Sequence, residues 1–216
     1  NNKTVEEIKK SLTSSDKEIY STLFTDLYAD LSENEKLLLK IISLFESDCS
    51  HLIIQFISNE INMSEMSKDI DLLCRKNLLV KQGNTKAETT YRMHDVTRYY
   101  SKGQPHSRLS KELLMEKSIE FAEIFVRRNG GDDNWEGYKV IDNVLDNLVE
   151  IISFFEPING SGEKLIQILR DLDHYLYARG YWYLRKEWGE KVLAFCSEIN
   201  DNEKIALRLK YDLPTD

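Results

Sequence analysis

The sequence is poor in cysteine and in the residues that break regular structure. It has three cysteines, three prolines and nine glycines in 216 residues. With no Ser- or Gly-rich tract, this leaves little room for long linkers or low-complexity segments. The cysteines, Cys49, Cys74 and Cys196, are widely spaced among apolar neighbours. Their odd number and spacing do not suit a disulfide framework, so we predict reduced, buried thiols.

An excess of positive charge and a long apolar run are also missing. The formal net charge is −8. Attraction to nucleic acid or to an anionic membrane needs clustered lysines and arginines, so this balance argues against both. No apolar run approaches the roughly 18 to 20 residues that span a bilayer. We therefore expect a soluble, cytoplasmic protein.

The signatures of common catalytic and metal sites are absent too. No phosphate-binding Gly-x-x-x-x-Gly-Lys-[Ser/Thr] loop occurs, and Gly160-Ser161-Gly162-Glu163-Lys164 has a different spacing. Asp132-Asp133-Asn134 lacks the alternating oxygens and distal glutamate of a calcium loop. The four histidines have no metal-ligand spacing: His51, His94, His106 and His174. We predict no catalysis and no metal site in this chain.

Helical periodicity dominates the first part of the chain. Apolar residues three and four apart predict helices at 5–12, 17–28, 33–45, 51–59 and 64–76. Ser32-Glu33-Asn34-Glu35 is a capping box that starts the third of these helices. The period then changes, and 78–80 and 88–93 predict two strands joined by a turn at Gln82-Gly83-Asn84. Three helices followed by a hairpin is the winged-helix order.

The rest of the chain is predicted to be helical. Helices are expected at 95–101, 109–128, 138–155, 162–179, 184–198 and 202–209. The last two long helices are expected to form an antiparallel pair joined at Gly180. In that pair Leu172, Tyr175 and Leu176 would face Trp188, Val192 and Phe195. This pair suggests a bundle or the start of a helical-repeat solenoid, although one hairpin is not an array.

The composition shift at Gly103 to Ser107 sets the predicted domain boundary. We predict a helical segment at 1–28, a winged-helix domain at 29–104 and an α-helical, TPR-like domain at 105–216. The chain starts at Asn1 without a methionine and stops soon after a helical pattern. We therefore expect it to be part of a longer polypeptide.

Six aromatic residues cluster near the chain's last helices: Tyr175, Tyr177, Tyr181, Trp182, Tyr183 and Trp188. Such a group could stack on nucleic acid bases or form a protein-binding patch. Their helical spacing favours packing in the core between helices instead.

One motif points to a family. Tyr91-Arg92-Met93-His94-Asp95 ends the predicted hairpin strand and opens the next helix, predicted at 95–101. It resembles the Met-His-Asp signature in the winged-helix domain of NB-ARC proteins, the signalling ATPases that include apoptosome scaffolds and plant disease-resistance receptors. Residues 31–36 and 44–45 are similar to the family's opening helix, and 72–80 to its approach to the wing. The resemblance covers about residues 17 to 102.

The resemblance implies a role for each motif residue. His94 would contact the β-phosphate of ADP bound in a preceding nucleotide-binding domain, and so hold the inactive state. An imidazole N–H can donate to a phosphate oxygen, and a neighbouring anion favours the protonated ring. Met93 is expected in the core at the strand end, and Asp95 as an ordinary N-cap.

The resemblance also implies cofactors and partners for the complete protein. ADP or ATP with magnesium would bind in the preceding domain, joined in cis. The complete protein would self-assemble, and a protein or ligand effector would bind the C-terminal helices, which are similar to those that link such modules to ligand-sensing repeats.

A DNA-binding winged-helix regulator is the alternative. Its third helix, 64–76, would enter the major groove. That helix balances three acids against three bases: Glu65, Asp69 and Asp71 against Lys68, Arg75 and Lys76. Its early turns hold Glu65 and Asp69 with only Lys68, which argues against DNA contact. The predicted wing keeps this alternative open, because it carries Lys81, Gln82, Asn84 and Lys86.

Overall fold

A computed structural model describes residues 24–106, 109–155 and 161–195. Within these ranges the protein is mainly α-helical with a small antiparallel sheet of three strands, two of which form the hairpin that the sequence predicts. It forms two compact units, residues 1–114 and 115–216. The helices predicted at 5–12 and 202–209 lie outside the described residues.

The first unit has the winged-helix order of elements. Residues 24–29 are helical and precede the unit's named elements. These are α1 (Glu33–Ser43), β1 (Cys49–Ser50), α2 (His51–Glu60), α3 (Met66–Arg75), β2 (Leu79–Gln82), β3 (Thr90–Met93) and α4 (Asp95–Gly103). Strand β3 lies between β1 and β2 and is antiparallel to both. Strand β1 was not predicted, because two residues are too few to show an alternating pattern.

The capping box at the start of α1 is confirmed. The Glu35 amide donates to the Ser32 hydroxyl over 3.1 Å, and the Ser32 amide donates to the Glu35 carboxylate over 2.8 Å. The same carboxylate accepts from the Lys76 ammonium, 2.6 Å away, at the end of α3. Glu35 therefore anchors one helix to another as well as capping its own.

The core of the first unit is built mainly by its helices. Each fully buried aliphatic or aromatic side chain contributes about 1.5–3 kcal/mol. The core side chains come from α1, α2 and α3 with a smaller share from the sheet: Leu37, Leu38, Ile41, Ile42, Phe45, Ile53, Ile54, Ile57, Ile70, Leu73, Leu79, Tyr91 and Met93.

The hairpin loop is longer than the predicted turn. Strand β2 ends at Gln82 and β3 begins only at Thr90. The Thr89 hydroxyl donates to the Thr85 carbonyl over 2.6 Å, which holds Glu88 and Thr89 in the loop rather than in the predicted strand at 88–93. Gly83 has φ +87°, and a Cβ there would lie 2.3 Å from the Glu88 carbonyl oxygen, so the loop requires glycine.

The second unit and the segment that leads into it are helical. The elements are α5 (Lys111–Asn129), α6 (Trp135–Asp142), α7 (Leu145–Ser153), α8 (Ser161–Ala178) and α9 (Trp182–Phe195). The boundary between the units falls within α5, between Leu114 and Met115. Among the described helices, none is both long and apolar enough to cross a membrane.

The single helix predicted at 138–155 is wrong. The chain forms α6 and α7 instead, with a break at Asn143 and Val144, where Val144 has φ −122°. Tyr138 and Ile151 are both fully buried. In one continuous helix they would lie about 140° apart around the axis, because successive residues turn by about 100°. The break lets both side chains reach the core.

The predicted helix pair α8–α9 is confirmed. Gly180 has φ +75°, the Tyr181 amide donates to the Leu176 carbonyl over 2.8 Å and the Gly180 amide to Tyr177 over 3.1 Å. This is the Schellman closure of a helix end. Five of the six predicted packing residues are buried: Leu172, Tyr175, Leu176, Trp188 and Val192. The sixth side chain, that of Phe195, lies outside those described.

Candidate functional site

The junction of β3 and α4 positions the three motif residues. Alternate residues of a strand point to opposite faces. Tyr91 and Met93 are buried, whereas Arg92 and His94 are exposed. The core role predicted for Met93 is confirmed, since it is 1% exposed and pairs with Leu79 of β2.

The prediction that Asp95 is the N-cap of the helix is wrong. His94 is the N-cap, with extended backbone at φ −62° and ψ 141°, and Asp95 is the first residue of α4. The extended chain ends one residue earlier than an Asp95 cap requires, so the helix starts at Asp95 and not at Val96. The His94 carbonyl accepts the Arg98 amide over 2.9 Å, but the His94 side chain makes no capping bond. The His94 imidazole is therefore not oriented by a capping bond.

Arg98 is a site residue that the sequence interpretation missed. Its Nη1 donates to Asp95 Oδ1 over 3.1 Å, and Arg98 is 5% exposed. Its Nε is buried and has no hydrogen-bond partner among the described residues. The available signal was the spacing, because an acid and an arginine three residues apart face each other on a helix.

Helix α4 packs on α1 through polar groups. Its buried side chains are Thr97, Arg98 and Ser101. The Lys40 ammonium donates to the carbonyls of Lys102 and Gln104, at 2.8 and 2.9 Å, and so caps the C-terminal end of α4. Burial, with a smaller effect of Lys111, lowers the pKa of Lys40. The orientation of the junction therefore depends on hydrogen bonds as well as on apolar contact.

Helix α3, which would enter the major groove in the DNA-binding alternative, has few unpaired cations. On α3, Lys68 pairs with Glu65 at 2.9 Å, and Lys76 just beyond it pairs with Glu35 at 2.6 Å. Asp69 is buried, so it does not face a groove as the sequence interpretation assumed. Burial raises the pKa of Asp69, and a hydrogen bond from Asn34 lowers it. The negative charges of Glu35 and Glu65 raise it further.

The other histidines have structural neighbours. His51 is buried with its Nδ1 3.3 Å from the Tyr91 hydroxyl. Burial first, and then Lys86 and Lys81, lower the pKa of His51. The His174 Nδ1 lies 2.6 Å from the Tyr138 hydroxyl, which itself donates to the Gly131 carbonyl. Within the described ranges, no group of three or more His, Cys, Asp or Glu residues could hold a metal ion.

The cysteines have different surroundings. Cys49 is buried and Cys74 half-buried, neither is in a disulfide, and Cys196 lies outside the described residues. Burial raises the pKa of Cys74, with Asp71 adding to it, so little thiolate forms near neutral pH.

The prediction that the aromatic group near α8 and α9 is core is wrong for four of its six members. Tyr175 and Trp188 are buried, as predicted. The exposed members are Tyr177, Tyr181, Trp182 and Tyr183. Residues 177–183 span the turn between two helices, so a helical period does not run through them.

Comparisons with known proteins return no match. No protein-family model, no curated protein and no solved structure matches the chain. The resemblance to NB-ARC proteins therefore stays a prediction from the sequence.

Proposed function

We propose that this chain is the regulatory winged-helix part of a cytoplasmic, nucleotide-switched NB-ARC signalling ATPase. In this function His94 senses ADP bound by a nucleotide-binding domain in cis and holds the inactive state. The observation that carries the proposal is the exposed His94 imidazole at the N-terminus of α4, within a winged-helix order of elements.

The chemistry of the junction suits a phosphate. The first-turn amides of a helix carry partial positive charge and are ready donors to anions. The His94 ring lies at that end of α4 and makes no capping bond of its own. A phosphate beside the ring would favour its doubly protonated form, which strengthens the contact. Met93, the residue before His94, is buried and so anchors the end of β3.

The cofactors and partners follow from this role. ADP or ATP with magnesium is supplied by the nucleotide-binding domain, and this chain contributes a contact rather than hydrolysis. The second unit passes the binding of an effector to the winged helix. Exchange of ADP for ATP then permits self-assembly of the complete protein.

Replacement of His94 tests the proposal in the complete protein. We expect His94→Ala to lower the amount of ADP that co-purifies, measured by chromatography of the released nucleotide, and to raise basal signalling. Arg92→Ala is the matched control, because Arg92 is exposed on the same face of β3 and pairs with Asp48. Equal ADP content in the His94 variant and the parent would contradict the proposal.

DNA binding is the second candidate, and the winged-helix order itself favours it. The ion pairs of Lys68 and Lys76 argue against it. Anisotropy of a labelled duplex separates the two functions. We expect no dissociation constant tighter than about 1 µM at physiological salt, which is the range of non-specific binding. Tight, salt-sensitive binding would support the transcriptional function instead.

A further inference from the structure

Helix α4 differs from the other named helices of the first unit in what it buries. Helices α1, α2 and α3 each bury at least two aliphatic side chains. Within the described residues of α4, 95–103, the buried side chains are all polar: Thr97, Arg98 and Ser101. Val96 and Tyr100 are only half-buried. Because apolar burial supplies most of the free energy that docks a helix, α4 is docked weakly.

Two buried polar atoms of α4 have no partner. The Arg98 Nε and the Ser101 Oγ form no hydrogen bond among the described residues, and the two residues are 5% and 1% exposed. A buried donor or acceptor that is not bonded costs free energy, and this cost disappears when water reaches the atom. The polar groups that α4 buries therefore oppose its docked position.

Contacts near the surface hold α4 in place. The Lys40 ammonium of α1 donates to the Lys102 and Gln104 carbonyls, at 2.8 and 2.9 Å. The Tyr100 hydroxyl lies 3.1 Å from the Thr25 hydroxyl. Close to water, charges and hydrogen bonds contribute less free energy than they do in the interior. The contacts that retain α4 are therefore easily broken.

We propose that α4 detaches from α1 as a unit while the rest of the first unit stays folded, and that this detachment withdraws His94 from the bound nucleotide. Local opening selects elements with few buried apolar contacts and with hydrogen bonds near water, as in α4. His94 is the N-cap of α4, so it moves with the helix. A nucleotide bound at His94 would in turn favour the docked helix. The effect on nucleotide rests on the proposed function, whereas the detachment does not.

Native-state hydrogen exchange of the full chain, followed by NMR, tests the detachment. A detached helix of nine residues is too short to stay folded in water, so its amides exchange whenever α4 opens. After correction for intrinsic rates, we expect the amides of residues 98–103 to exchange faster than those of residues 37–43 in α1 by about tenfold or more.

Two variants separate local detachment from unfolding of the whole unit. Ile54→Val weakens the buried core of α2 and should speed exchange at 37–43 severalfold, but it should leave 98–103 unchanged, because Ile54 stays buried when only α4 opens. Lys40→Met removes a contact that holds α4 and should speed exchange at 98–103 severalfold. Equal exchange at the two sites in the parent, or faster exchange at both in Ile54→Val, would overturn the detachment.

The ADP that co-purifies with the complete protein tests the link to nucleotide. Lys40→Met should lower it severalfold, whereas Lys68→Met, the control at an exposed lysine of α3, should not change it. If His94→Ala loses ADP and Lys40→Met does not, the link between detachment and nucleotide is wrong, and sensing by His94 stands. If neither variant loses ADP, sensing by His94 is wrong as well, and hydrogen exchange still decides whether α4 detaches.

Discussion

The Arg98 guanidinium is buried, yet its ion-pair partner Asp95 stands half-exposed at the first turn of α4, 3.1 Å away. A buried cation that loses its partner is costly, because the interior solvates charge poorly. The pair lies within α4, so it ties the buried guanidinium to the first turn of its own helix. His94 is the N-cap of that turn, and its carbonyl accepts the Arg98 amide over 2.9 Å, so Arg98 holds the backbone of His94.

Removing the acid of this pair should destabilise the protein. We expect Asp95→Asn to lower the free energy of unfolding by about 1–2 kcal/mol, a value reduced for the exposure of Asp95. Urea denaturation measures it. Lys68→Ala, which removes an exposed ion pair, should cause no measurable change. The double variant Asp95→Asn, Arg98→Met should recover much of the loss, and an unchanged midpoint in Asp95→Asn would refute this account.

Glu35 should make the free energy of unfolding depend on pH in the acid range. Burial alone would raise the pKa of Glu35, but bonds from Lys76 and from the Ser32 amide outweigh it and lower the pKa below the ordinary 4.5. The folded chain thus releases this proton more readily than the unfolded chain. The stabilisation is complete above about pH 4.5 and is lost as pH falls through the folded value.

Glu35→Gln should therefore be less stable than the parent at pH 7, and the difference should shrink below pH 4. Urea denaturation at pH 7 and pH 3.5 measures both values. The control is Glu60→Gln, an exposed glutamate at the end of α2. A difference that is the same at both pH values would show that charge is not the cause.

Asp69 should give stability the opposite dependence on pH from that of Glu35. Burial raises its pKa above the ordinary 3.8, and its Oδ2 is buried without a hydrogen-bond partner among the described residues. Ionised Asp69 thus destabilises the fold, and this cost appears as pH rises through the raised folded value. Asp69→Asn should be more stable than the parent at pH 7 and equal to it near pH 3. Thermal melts at the two pH values measure this, and a destabilised variant at pH 7 would contradict it.

The sequence predicts local structure well where the signal is local. The capping bonds of Ser32 and Glu35 depend on residues three apart, and the apolar period of α1 continues for three turns. Tyr175 and Trp188 were likewise placed correctly, because each lies inside a long helix. In these places the neighbours along the chain are also the neighbours in space.

The errors come from tertiary constraints and chain reversals. The break at Val144 depends on where the core lies relative to Tyr138 and Ile151, which periodicity within one helix cannot show. The exposure of Trp182 follows from the turn at Gly180. At the junction, the motif located His94, but the burial of Arg98 depends on packing against α1. Local pattern gave no information on that contact.

Gly130 of the second unit lies close to backbone atoms of α8 and should not tolerate a side chain. A Cβ at Gly130 would lie 2.1 Å from the Asp171 carbonyl oxygen and 2.7 Å from that of Val126. Both are backbone atoms, and the neighbouring Gly131 amide donates to the same Asp171 carbonyl over 2.8 Å. Relief of the clash therefore requires the loop after α5 to move away from α8.

We expect Gly130→Ala to lower the free energy of unfolding by about 2–4 kcal/mol, which is the range for overpacking and a broken buried hydrogen bond. Gly103→Ala is the matched control, because a Cβ there meets nothing within 4 Å. Gly103 lies in the last turn of α4, where alanine should be neutral or stabilising by up to about 1 kcal/mol. Urea denaturation of both variants measures the difference. Equal stabilities would mean that the 129–131 loop is not seated against α8 in solution.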